Sequence, residues 1–196
     1  KQKVINVLED GMVAIIYGAR QVGKTTLAKN IATSYKNPLY INCDDPLVAI
    51  NIINKSALEL KAYIGNSDLV IFDEAQRIEN IGITLKLLHD TYPNIKLLVT
   101  GSSSLDLANK IAEPLTGRSI EIKLYPLSIQ EVSEDQTQIN PNINILLIRG
   151  GYPGMWELSS ESAYNKLDNL ALNYIFKDAF TPSVGFDQTI INDLLR

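Results

Sequence analysis

The chain has a single cysteine, Cys43, and a single histidine, His89, among 196 residues. One thiol excludes an internal disulfide and any metal site built from clustered cysteines. Cys43 itself reads as a small residue buried at a strand end. No stretch approaches the ~18 consecutive apolar residues that a membrane-spanning helix needs. The opening Lys1-Gln2-Lys3-Val4 has none of the apolar core of a signal peptide. An excess of basic residues is also missing: 18 Lys and Arg stand against 22 Asp and Glu, a formal net charge of −4. That balance leaves no strongly basic face to hold nucleic acid on charge alone. These absences point to a soluble, cytoplasmic protein without a membrane partner. With 45% hydrophobic and 20% charged residues, the length suits one ordinary domain with at most a small appendage.

What is present begins with Val13-Ala14-Ile15-Ile16, a β-branched run that reads as a buried strand. It leads into Gly18-Ala19-Arg20-Gln21-Val22-Gly23-Lys24-Thr25, and helical spacing follows from Thr26. The octapeptide matches G-x-x-x-x-G-K-[ST], the phosphate-binding P-loop, in its required strand–loop–helix context. Gly18 and Gly23 keep Cβ atoms out of the way where backbone N–H groups turn toward phosphate oxygens. The helix N-terminus adds partial positive charge. Residues 18–26 are therefore candidate nucleotide-binding positions: Gly18, Ala19, Arg20, Gln21, Val22, Gly23, Lys24, Thr25 and Thr26. Lys24 is placed to reach the β- and γ-phosphates, and the Thr25 hydroxyl to ligate Mg²⁺.

A second signal is Leu69-Val70-Ile71-Phe72-Asp73-Glu74. Four apolar residues in a row predict a strand buried on both faces, hence a parallel sheet covered by helices. Ligands bind at the C-terminal ends of strands in such sheets, and this one ends in two carboxylates pointing to opposite sides. Asp73 would hold Mg²⁺ through water, and Glu74 would polarise the attacking water as general base. The plainer alternative is an Asp-Glu pair opening a surface helix. Ile95 to Thr100 predicts the next strand, running into Gly101-Ser102-Ser103-Ser104. Thr100 or Ser102 would sense the γ-phosphate if this strand neighbours the first; the alternative is that Ser103 or Ser104 merely caps a helix at 105–112. Arg118, in Leu115-Thr116-Gly117-Arg118, precedes a fifth strand at 119–124. It could bring positive charge to a phosphate in cis or in trans, or form a surface ion pair. Asp44-Asp45-Pro46 ends the strand at 39–42 and reads as a metal-water contact or as a helix cap.

The remaining pattern divides the chain into an ATPase core at 1–132, a helical lid or extension at 133–182, and the start of a further region at 183–196. The polar stretch 133–142 reads as a linker. Ser128 and Glu131 have the spacing of a capping box. A helix is predicted at 143–149, then a Gly-Pro turn, then a long helix over 160–180. Ile190 to Arg196 stops in mid-pattern.

The chain resembles bacterial and archaeal AAA-like ATPases, related to the ASCE branch of P-loop NTPases and to the STAND switch ATPases. The residues that carry the resemblance are GARQVGKTTLA at 18–28, VIFDEAQRI at 70–78, LLVTGSSSLDL at 97–107, LTGR at 115–118, LYPLSIQE at 124–131 and GGYPGMWEL at 150–158. It implies an α/β three-layer sandwich whose five-stranded parallel sheet has the order 5-1-4-3-2. It also implies ATP as substrate, Mg²⁺ as cofactor, Glu74 as the catalytic glutamate, and Arg118 as a sensor or finger; the active form would be a homo-oligomer only if Arg118 acts in trans. The family's C-terminal domain, expected from about residue 190, would carry any protein or nucleic-acid partner. The family's usual asparagine-type sensor is replaced by Thr100 and Ser102. Three functions follow: a Mg²⁺-dependent ATPase, a slow STAND-like nucleotide switch, or one lobe of a nucleic-acid-dependent ATPase.

Overall fold

A computed structural model describes residues 1–102, 113–133 and 139–170. The expected helix at 105–112, the end of the 160–180 helix and the segment 183–196 lie outside the described residues. The chain forms two compact units, Lys1–Pro126 and Leu127–Arg196. In the first, the described elements are α1 (Gln2–Glu9), β1 (Val13–Tyr17), α2 (Lys24–Ala32), β2 (Pro38–Asn42), α3 (Pro46–Ile52), α4 (Ala57–Ile64), β3 (Leu69–Asp73), a single 3-10 turn (Ala75–Arg77), α5 (Ile81–Thr91), β4 (Lys96–Gly101) and β5 (Ser119–Lys123). All strand pairings are parallel, in the order β2-β3-β4-β1-β5. Read from the other edge, this is 5-1-4-3-2, as the resemblance implied.

Side chains alternate across each strand, so the sheet has two apolar faces. Val13 and Ile15 of β1, Val70 and Phe72 of β3, and Leu97 and Val99 of β4 pack with Ile52, Leu60, Ile64, Ile81, Leu85 and Leu88 from α3, α4 and α5. Ala14, Ile16, Leu69, Ile71 and Leu98 pack on the other face with Val4, Val7 and Leu8 of α1 and Ala28 and Ile31 of α2. Helices on both faces bury β1, β3 and β4 almost completely, which is why these strands read as unbroken hydrophobic runs. β2 sits at the sheet edge and starts at Pro38, a position that needs no ladder donor.

The helix starts are set by side chains. Asp45 Oδ1 accepts from the Leu47 N–H at 2.9 Å and caps α3, so the capping alternative holds for that acid. Ser56 and Glu59 form a reciprocal capping box on α4.

In the second unit, the described helices are α6 (Ile129–Val132), α7 (Ile139–Arg149), α8 (Pro153–Trp156) and α9 (Ser160–Leu170). The capping box at Ser128 and Glu131 is present. α7 starts inside the stretch read as a linker; Pro141 falls in its first turn, where no intrahelical N–H is required and Pro is tolerated. Arg149 ties the Gly-Pro turn together: Nη1 donates to the carbonyls of Met155 (3.2 Å) and Leu158 (2.9 Å), and Nη2 to Ser160 Oγ (2.9 Å). Among the described residues no helix is long and apolar enough to cross a membrane.

Gly18 has a packing reason beyond the one read from the motif. A Cβ there would lie 2.2 Å from the Leu124 carbonyl oxygen, and the Leu124 N–H donates to Tyr17 O at 2.7 Å. The chain leaving β5 thus presses on the start of the P-loop. We expect Gly18→Ala to lose about 1–3 kcal/mol of stability from this overpacking. In thermal unfolding without nucleotide, where phosphate access plays no part, that is a fall of roughly 2–12 °C.

Candidate functional site

Residues 18–26 wrap the junction of β1 and α2. Gln21 (φ 64°) and Gly23 (φ 96°) both adopt left-handed backbone, the conformation by which successive N–H groups turn into one concavity. Gly23 is also the N-cap of α2, so the helix dipole points at the same hollow. Val22 is buried and anchors the loop, while Ala19, Arg20, Gln21 and Thr26 are exposed along it. Lys24 is only 4% exposed, and its Nζ donates to the carbonyls of Gly18 (3.0 Å) and Ala19 (2.8 Å). Burial pushes the Lys24 ammonium below its ordinary pKa, Glu74 and Asp73 pull it back up, and Arg20 pushes it down. A buried cation on neutral carbonyls, with two carboxylates acting on it, is a group that an anion would stabilise.

Strand parity places the rest. Asp73 follows Leu69 and Ile71 on the α2 side of β3, and Thr25 enters from α2 on that side. Thr25 Oγ1 donates to Asp73 Oδ2 at 2.8 Å. Thr100 follows Leu98 on the same side of β4, and its hydroxyl donates to Asp73 Oδ1. Tyr40 of β2 donates its phenol to Asp73 Oδ2, and Lys29 Nζ lies 5.0 Å from the centroid of its ring. Desolvation, with Asp73 next, pushes the Tyr40 pKa well up. Three hydroxyls from three elements therefore converge on one buried carboxylate.

Thr100 Oγ1 also accepts the Glu74 N–H at 3.1 Å. Its hydroxyl is thereby engaged on both sides, and Thr100 is a buried brace between β3 and β4. Glu74 itself is left-handed, with φ 56° and ψ 43°, and opens the 3-10 turn. Its Oε2 accepts from Gln76 Nε2 at 2.6 Å, and the same nitrogen donates to Ser102 Oγ at 3.0 Å. Ser102 is thus brought to Glu74 through Gln76. Tyr40 and Gln76 were not singled out from the sequence as site residues. For Tyr40 the missing information is the register of β2 on β3; for Gln76 it is the turn geometry at Glu74.

Arg118 is not brought to this site. Its carbonyl accepts from Val13 N–H at 2.9 Å, at the start of β1, whereas the P-loop leaves the end of that strand. Five residues at about 3.3 Å each put roughly 16 Å of strand between them. Arg118 Nε donates to Asp90 Oδ1 at 2.7 Å, and Nη1 to Thr116 O at 3.3 Å. The guanidinium holds the Asp90 carboxyl down at about 2, with the His89 hydrogen bond next. This pair's contribution to stability is complete above the ordinary carboxylate range and is lost as pH falls toward 2. His89 bridges Asp90 Oδ1 (3.1 Å) and Gly11 O (3.0 Å), a packing role. Asp44 pairs with Arg77 at 2.9 Å. Cys43 is buried, and desolvation pushes its thiol up to about 12, which suits an inert packing residue.

Asp73 and the Thr25 hydroxyl form a hard oxygen pair, the donor chemistry that Mg²⁺ takes alongside water and phosphate oxygens. Among the described residues no three His, Cys, Asp or Glu cluster as a metal cage.

A G-x-x-x-x-G-K-T loop between β1 and α2, in a parallel sheet of this order, defines a P-loop NTPase domain. The chain belongs to a family described as AAA domain, whose profile matches residues 10–133. Among curated relatives, an uncharacterized protein of Methanocaldococcus jannaschii is 28% identical over 90% of this chain and 44% of its own length. An uncharacterized protein of Mycobacterium bovis is 30% identical over 72% of this chain and 30% of its own length. The chain thus spans less than half of either relative. A Walker-type ATPase of Pyrococcus abyssi superposes with a TM-score of 0.57 at 17% identity, over 98% of this chain and 72% of that one; this likeness is one of fold.

Thr100→Val keeps the shape of the brace but leaves the Glu74 N–H and an Asp73 oxygen without their partner. We expect it to lose about 1–3 kcal/mol in urea unfolding, the penalty of stranding buried polar groups.

Proposed function

We propose that this domain binds ATP with Mg²⁺ and hydrolyses it, and that Glu74 acts as general base. The observation that carries the reading is the 2.8 Å contact of Thr25 with Asp73 beside a P-loop whose lysine folds into its own concavity. The backbone N–H groups of residues 18–25 hold the β- and γ-phosphates. Lys24 moves from the Gly18 and Ala19 carbonyls onto phosphate oxygens, exchanging neutral acceptors for charged ones. Thr25 and Asp73 would hold Mg²⁺, which supplies neutralisation of the charge developing on the phosphoryl oxygens. Glu74, held by Gln76 and by its own backbone bond to Thr100, accepts a proton from the water that attacks the γ-phosphorus. Catalysis is then mostly positioning and electrostatics, with little covalent chemistry from the protein.

Arg118 completes the site in trans. Its placement at the other end of the sheet rules against reaching the phosphate of its own subunit, while Asp90 and the Thr116 carbonyl hold it oriented at the surface. The active form in this reading is a homo-oligomer. We assign the domain to the cytoplasm, and leave partners to the longer proteins of which such domains form part.

The test is nucleotide titration with phosphate release. Glu74→Gln should bind ATP like wild type and hydrolyse it at least roughly 100-fold more slowly. Lys24→Ala should lose affinity for ATP. Negligible turnover with tightly retained ADP in the wild type would instead support a slow STAND-like switch. Lys24→Ala and Arg118→Ala, each inactive alone, should partly restore turnover when mixed, because a mixed contact joins an intact P-loop to an intact arginine. No recovery would remove the trans role.

A further inference from the structure

In the mechanism above Gln76 only holds Glu74, and its second contact, to Ser102, has no task. Gln76 lies two positions beyond Glu74 in the 3-10 turn Ala75–Arg77. That turn is fixed at its base, since Ala75 and Ile78 are both fully buried and the Arg77 N–H bonds to Glu74 O at 3.0 Å. Its side-chain amide nitrogen touches two functional groups at once, Glu74 Oε2 at 2.6 Å and Ser102 Oγ at 3.0 Å.

The chemistry of these groups gives the contact a direction. An ionised carboxylate only accepts hydrogen bonds, so the amide must present its nitrogen to Glu74. An NH₂ group carries two hydrogens. One goes to Glu74 Oε2 and the other to the lone pair of Ser102. The Ser102 hydroxyl, accepting from Gln76, keeps its own hydrogen to donate elsewhere. At the C-terminal end of β4, next to the P-loop strand, the acceptor that would take it is an oxygen of the γ-phosphate. Glu74, held through Oε2, keeps Oε1 for the attacking water.

We propose that Gln76 is a positioning residue that couples Ser102, as γ-phosphate contact, to Glu74, as base. This rests on the hydrolytic reading given above and deepens it. With ATP bound, a phosphate-anchored Ser102 fixes the Gln76 amide, which aims the Glu74 carboxylate at water. With ADP there is no γ-phosphate to anchor Ser102, and the aim is lost. The arrangement makes the base responsive to the nucleotide without moving the sheet.

The experiment uses steady-state and single-turnover ATP hydrolysis with ATP and ADP binding measured separately. Gln76→Leu removes the donor, and Gln76→Glu removes it while keeping size and polarity. Each should lower kcat by roughly 10- to 100-fold, the scale for a misplaced catalytic group, with KM and both nucleotide affinities within about twofold of wild type. In a Glu74→Gln background the same substitutions should cause no further loss, since the group they aim is already gone. Ser102→Ala should lower kcat and weaken ATP more than ADP. Melting curves establish that each variant is folded, and the two Gln76 variants guard against one failing to fold. An active wild type with unchanged kcat in both folded Gln76 variants overturns the proposal alone. So does a loss that persists in full in the Glu74→Gln background. A wild type that binds ATP and releases no phosphate overturns the hydrolytic reading itself, and this proposal with it.

Discussion

One buried carboxylate organises the C-terminal edge of this sheet. Asp73 is 3% exposed, and an anion so far from water persists only if hydrogen-bond donors replace its solvation. Here the donors are hydroxyls: Thr25 from α2, Tyr40 from β2 and Thr100 from β4. Each comes from a different element, so the carboxylate fixes the helix after the P-loop against three neighbouring strands. Thr100 then passes the constraint on through the Glu74 N–H, which holds the next residue in a left-handed turn. The geometry of the candidate base is thus inherited from the solvation of the candidate metal ligand.

The two ends of the sheet have separate tasks. At the C-terminal end lie the P-loop, Asp73, Glu74, Gln76 and Ser102. At the N-terminal end, Arg118, Asp90, His89 and the Gly11 carbonyl tie α5 to the turn before β1 and to the entry of β5. A parallel sheet forces this separation, because all strands leave from the same edge and the loops that enter them collect at the other. An arginine on an entry loop cannot serve the exit edge of its own sheet. Arg118 is held instead by Asp90 and the Thr116 carbonyl, at the entry of β5.

Gly18 shows how two demands can settle on one residue. The motif asks for a bare backbone where phosphate approaches. The fold separately asks for it where the Leu124 carbonyl comes within 2.2 Å of where a Cβ would stand. Gln21 is the reverse case: a non-glycine residue takes φ 64° in a loop whose two defining glycines stand elsewhere. The strain is local and belongs to the concavity it helps to form.

Much of this was legible in the residues themselves. Runs such as Val13–Ile16 and Leu69–Phe72 announce buried parallel strands because every side chain in them is apolar. The P-loop is readable because its chemistry demands fixed residues at fixed spacing over eight positions. Local pairs, such as the Ser128–Glu131 capping box, follow from a three-residue separation within one helix. Other features depend on what lies across the sheet. Tyr40 meets Asp73 only because β2 pairs with β3 in one register, and a slip by one residue would turn its ring to the other face. Sequence offers Thr100 or Ser102 as the phosphate contact, and only the pairing of β3 with β4 shows that the Thr100 hydroxyl meets Asp73 and the Glu74 N–H. Gln76 reaches Ser102 because a left-handed residue at Glu74 folds the chain back toward β4. Sequence determined the elements and the chemistry at their ends, since these rest on composition and short-range spacing. Only the tertiary structure decided which groups hydrogen-bond to one another, because that depends on register and on distances between strands far apart in the chain.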